Sequence, residues 1–232
     1  MAAEAEILMA ILGICAVCLD YFMGIVLLRK IVKISEKAKQ KYYTGVVGFY
    51  IAHGTYVLTY LVYRAMNLGI LFNFGVMLVL SSLVLLVFSI ESSVFTRSRF
   101  FFTIFGIIAV SIIAIDVFYQ LFTSNMIKIY GIRLMEWPQY FANPLLATFV
   151  FLVYLYAFIK AAGAIKKNAL LMMTGIIAFM IAELAISNIA TKLLPLVQYL
   201  GPPLRVVAIV LLSYALLHLS VWKERDRQSP EA

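Results

Sequence analysis

Charge is scarce in this chain: Asp, Glu, Lys and Arg make up 13% of its 232 residues, while 64% are hydrophobic. A water-soluble domain of that length exposes too much surface to be built from so few charges. With a mean hydropathy of +1.00, the chain reads as all-α and integral to a lipid bilayer, with no stretch left for a second, soluble domain. Cysteine is equally rare. Cys15 and Cys18 form a C-x-x-C, but redox exchange needs an accessible thiolate and a partner thiol pair. Among Leu, Ile and Ala they read instead as small packing residues. Two histidines, His53 and His218, are too few for a histidine zinc site, and no acids are spaced to complete one. No cofactor is expected; a b-type haem bridging His53 and His218 is the one alternative, and two histidines at different estimated depths are a minimal signal for it.

Other absences narrow the function. There is no P-loop, dinucleotide fingerprint, nucleophile elbow or paired catalytic carboxylate motif, so no catalytic residue is proposed and nothing argues for an enzyme. No Lys or Arg precedes the first apolar run, where Glu4 and Glu6 stand; a secretory signal is not indicated, and the first helix is expected to be retained. The net charge of +8 would suggest nucleic acid in a soluble protein. Here the basic residues sit in short loops without interleaved aromatics, which points to topology and anionic headgroups rather than nucleic acid.

What the chain does have is long apolar runs. Crossing the hydrocarbon core takes about 20 residues, since a helix rises about 1.5 Å per residue across about 30 Å. By that measure seven spans are expected, at 7–28, 44–66, 71–90, 101–122, 144–161, 169–190 and 202–221. Asn67 and Gly69 mark a tight turn between the second and third. Pro144, Pro202 and Pro203 are expected at span starts, where a missing N–H costs nothing, and none is expected mid-span. Fourteen of the nineteen Lys and Arg residues fall after spans one, three, five and seven; Arg64, Lys128, Arg133, Lys192 and Arg205 fall on the other side. The positive-inside rule then puts the N-terminus outside, the C-terminus in the cytoplasm and the chain in the cell membrane as a multi-pass protein.

Polar residues at membrane depth are the informative ones, because each is costly there and needs a partner. His53, Tyr56, Tyr60, Tyr63 and Asn67 follow a 3-4-3-4 spacing along one face of the second span, with Arg64 beside them. That stripe reads either as a pocket wall or as helix packing with tyrosine hydroxyls satisfied across the bundle. Asp20 and His53 both sit about 12–13 Å above the inner boundary. A hydrogen bond between them would fix the imidazole tautomer; it reads as a structural bond or as a site of proton transfer. Asp116, Glu183, Arg64 and Arg205 fall in the outer half, where two acids and two bases would balance and, if they converge, form a vestibule for a small charged ligand. Snorkelling arginines and a structural network are the alternative. Glu91 reads as an interfacial residue at the cytoplasmic edge.

An internal echo aligns Thr44-Gly45-Val46-Val47-Gly48-Phe49-Tyr50-Ile51-Ala52 with Thr174-Gly175-Ile176-Ile177-Ala178-Phe179-Met180-Ile181-Ala182. It would pair span two with span six, as in a three-plus-one-plus-three repeat. Gly106-Ile107-Ile108-Ala109 in span four matches as well, which weakens the inference. The layout is similar to the seven-helix rhodopsins, although 202–221 has no lysine for retinal. It also resembles the small three-plus-one-plus-three sugar transporters, without their mid-helix prolines; Pro138-Gln139 reads as a loop. Tyr60-Leu61-Val62-Tyr63-Arg64 and Ser89-Ile90-Glu91 resemble membrane portions of uncharacterised archaeal sensor-like proteins, which implies a sensory module and names no ligand.

The reading favoured is a receptor-like or sensory module. It would bind a small ligand or a partner protein at Arg64, Asp116, Glu183 and Arg205, with Tyr56, Tyr60 and Tyr63 as the floor, and pass its signal to a separate partner. A small secondary transporter or proton-coupled carrier, titrating at Asp20, His53 and Glu183, is the alternative. An accessory subunit of a larger membrane complex is the second.

Overall fold

The computed structural model describes residues 2–93, 100–186 and 199–228. Seven α-helices and one small hairpin make up these residues: α1 (Ala2–Ile31), α2 (Lys37–Met66), α3 (Gly69–Ser93), α4 (Phe101–Thr123), β1 (Lys128–Ile129), β2 (Ile132–Arg133), α5 (Glu136–Lys160), α6 (Gly163–Ile186) and α7 (Gly201–Gln228). The first six helices are long and apolar enough to cross a membrane, and the seventh has a shorter apolar stretch, Gly201–Leu217. Large apolar side chains remain exposed along α1 (Ile11, Ile14, Phe22, Ile25) and α4 (Ile104, Ile107, Ile108, Ile115, Phe118). In water such faces would drive aggregation; in lipid they are the ordinary outer surface, while each helix satisfies its own backbone. The helices are those of a polytopic membrane protein.

Boundaries follow local chemistry. Asn67 takes a left-handed conformation (φ 54°) and its N–H closes on the Tyr63 carbonyl, ending α2 two residues before α3 begins. Pro202 and Pro203 fall in the first turn of α7, where no N–H is needed. The fifth helix corrects the expectation from the sequence. It starts at Glu136, so Pro138 sits in its first turn and Pro144 lies inside it. The hydropathy ruler missed that opening segment because Glu136–Asn143 is polar, yet the helix needs only a free first turn at Pro138 and tolerates the N–H that Pro144 lacks.

Contacts divide the chain into two compact units, 17–149 and 1–16 with 150–232. In the first unit, close helix approach depends on small residues. A Cβ on Gly45 would run into Ser89 Oγ and come within 2.7 Å of the Leu85 carbonyl oxygen on α3. On Gly54 it would meet Asp20 Cβ at 3.0 Å, and on Gly106 it would meet Val84 Cγ2 at 2.5 Å. In the second unit Gly175 of α6 does the same work against Leu212 of α7, at 2.9 Å. The three echoed segments therefore share a packing task. That accounts for their likeness in span four as readily as in spans two and six.

Candidate functional site

The unit formed by 17–149 holds the most polar core. Asp20 and His53 are both fully buried, with His53 Nδ1 2.7 Å from Asp20 Oδ2. An ionised carboxylate can only accept, so in that state Nδ1 carries the proton. Gly54 allows the approach, since any larger residue would push Asp20 away. Beside this pair, one residue on from Asp20 and two on from His53, the Tyr21 hydroxyl and Thr55 Oγ1 lie 2.9 Å apart. Thr55 also donates to the Ile51 carbonyl, so at the Tyr21 contact it is the acceptor.

Above His53 the face of α2 becomes a continuous ladder of rings. Phe49 stacks on His53 at 5.8 Å; His53 meets Tyr56 at 5.9 Å, Tyr56 meets Tyr60 at 6.5 Å, Tyr60 meets Tyr63 at 6.2 Å, and Tyr63 reaches Phe72 of α3 at 5.4 Å. The 3-4 spacing brings these rings together because positions three and four apart share a helix face. Tyr56 is buried under Gly75, whereas Tyr60 and Tyr63 are half-buried and their hydroxyls bond to no other residue among the described ones. Arg64 is exposed beside them and has no ion-pair partner among the described residues.

Two of the remaining expected residues are joined to each other. Arg205 donates from Nε and Nη2 to Glu183 Oε1, at 3.0 and 2.5 Å, with Arg205 buried and Glu183 partly open. They belong to the unit 1–16 with 150–232. Asp116, in the other unit, is buried and accepts the Ile127 N–H at 3.1 Å, which ties the segment before the hairpin to α4.

Glu91 has a task that its position near the end of α3 does not announce. It is buried within the protein, and its carboxylate accepts the N–H groups of Phe102 and Thr103 at 3.1 and 2.9 Å and the Thr103 hydroxyl at 2.5 Å. Phe100, at the N-cap with φ 52°, has no side-chain acceptor, so α3 supplies the cap for α4. Nothing local in the sequence signals a cap donated from another helix. Asn73 of α3 likewise pairs with Gln120 of α4. By contrast Ser81, Ser82, Ser89, Ser92 and Ser93 bond back to carbonyls of their own helix.

Cys15 and Cys18 also depart from expectation. Both are exposed, and Ala16 between them is buried. Among the described residues no three His, Cys, Asp or Glu groups gather to hold a metal. The haem bridge cannot be traced from both ends, since the His218 side chain lies outside the described residues; His53 already gives Nδ1 to Asp20.

The helices thus define a class, the polytopic α-helical membrane proteins, here with hydrogen-bonded polar pairs between helices. Beyond that class, no protein-family model, curated protein or solved structure matches the chain.

Proposed function

We propose that the protein is a receptor-like sensory module of the cell membrane, with its N-terminus outside, that binds a small ligand along the α2 face. The observation that carries this reading is the ladder itself. Tyr60 and Tyr63 offer half-buried rings and unengaged hydroxyls next to exposed Arg64, directly over the buried Asp20–His53 bond. Purely structural tyrosines in lipid find hydroxyl partners within the bundle, so a surface whose hydroxyls and guanidinium have no partner among the described residues suits a ligand with acceptor groups. A membrane or cytoplasmic protein would receive the signal. The resemblance to archaeal sensor-like membrane portions agrees with this reading.

The Asp20–His53 bond favours a second reading, a proton-coupled carrier in which Asp20, His53 and Glu183 titrate. One pair of measurements separates the two. A panel of carboxylates, phosphates and amino acids is screened for thermal stabilisation of the purified protein, and the same compounds are followed for uptake into proteoliposomes. The sensory reading expects stabilisation without flux, abolished in Arg64→Ala. Flux that collapses in His53→Ala or Glu183→Gln would replace it with the carrier. Stable co-purification with a membrane complex, unaffected by either change, would mark an accessory subunit.

A further inference from the structure

The hairpin between α4 and α5 contains a charge that no described residue neutralises. Tyr130 and Gly131 both have positive φ, 52° and 79°, the signature of a two-residue primed turn. That turn sets Lys128 directly opposite Arg133 and Ile129 opposite Ile132. Two cations facing each other across a strand pair repel. Arg133 is moreover partly sunk into the protein, with Nε and Nη2 buried and without hydrogen-bond partners. Four residues on, in the first turn of α5, the indole Nε1 of Trp137 is buried and equally without a partner, its ring stacked on Phe141. The neighbouring acids do not help: Asp116 accepts from the Ile127 N–H, and neither it nor Glu136 forms an ion pair with Arg133.

All three unsatisfied groups are donors, and one belongs to a guanidinium that stays charged at any physiological pH. A buried cation and orphan N–H groups each raise the free energy of the folded protein. Water offers acceptors but no counter-charge. An oxyanion supplies both, and the guanidinium edge formed by Nε and Nη2 matches the two oxygens of a carboxylate or phosphate.

We infer that Arg133 and Trp137 form a binding site for an oxyanion, a carboxylate or phosphate group, carried by a soluble ligand or by a lipid headgroup. The site is independent of the ligand face on α2, and stands or falls separately from it.

The test uses the full chain in a maltoside detergent, which has no anionic group. Trp137 and Trp222 are the only tryptophans, so a Trp222→Phe background makes Trp137 emission a local reporter. Inorganic phosphate, acetate and a short-chain phosphatidylglycerol are titrated separately, with chloride at matched ionic strength as control. Saturable change in emission and a rise in the unfolding midpoint with phosphate or acetate identifies a soluble oxyanion; saturation with the lipid alone identifies a headgroup. Arg133→Gln weakens the response about tenfold or more, as expected for loss of a charge-assisted hydrogen bond. If that variant does not fold, Arg133→Lys and Trp137→Phe, read by the unfolding midpoint, each weaken it several-fold. No saturation by any of the three probes, or equal affinity in the Arg133 and Trp137 variants, overturns the site and leaves its donors to water.

Discussion

At the scale of single residues, the buried acids divide by what they touch. Asp20 and His53 were legible in the sequence because depth can be counted from span ends, and two polar groups at one depth on adjacent helices have few other places to go. If their bond is structural, removing one member leaves the other buried alone. Asp20→Ala or His53→Ala is then expected to cost about 3–5 kcal/mol, while replacing both with apolar residues is close to neutral. Unfolding midpoints of the single and double variants measure the difference, and a double variant no better than the singles would contradict the pairing. Glu91 was not legible. Its value comes from two amides on another helix, and no spacing rule predicts a cap that crosses between helices. Glu91→Ala leaves those amides unsatisfied and is expected to lower stability by about 1–3 kcal/mol, read as an earlier unfolding transition. Glu91→Gln, which retains one acceptor oxygen, loses less.

At the scale of elements, helix length and helix approach were read with different success. Apolar runs gave the existence of the helices, because in lipid a backbone must bond to itself. They did not give the start of α5. Polar residues from Glu136 to Asn143 extend the helix beyond its apolar core, and Pro144, read as a boundary, lies in its interior. The glycines carry a sharper test. Gly45→Ala places a methyl against the Leu85 carbonyl and is expected to destabilise the α2–α3 contact by about 1–3 kcal/mol. Gly69→Ala, with nothing within 4 Å, is expected to be neutral. Equal unfolding midpoints for the two variants would show that the close approach is not needed. Gly175 against α7 belongs to the same set, so the echo in the sequence reports small residues at helix contacts and does not by itself establish a repeat.

At the scale of the whole molecule, composition was decisive for the class of protein and silent on its ligand. Fourteen basic residues on one side against five on the other carry the proposed orientation. Tags fused to either end of the chain test it in intact cells: external protease is expected to remove an N-terminal tag and spare a C-terminal one. The reverse pattern would invert the topology and place the α2 ligand face, with Arg64 at its rim, on the cytoplasmic side. The polar interior was foreseen only in part. Counting residues puts groups at a common depth, yet which of them bond depends on helix rotation, and apolar side chains of similar size encode that weakly.

The cap that Glu91 gives to α4 has a consequence for how the chain is made. During synthesis α3 emerges first, carrying a carboxylate destined to be buried but not yet supplied with the amides of Phe102 and Thr103. Entering the bilayer alone, α3 would take an unneutralised acid with it, at a cost that falls only when α4 arrives. The two helices are therefore expected to leave the translocation machinery as a pair, with the acid held near water until its amides reach it.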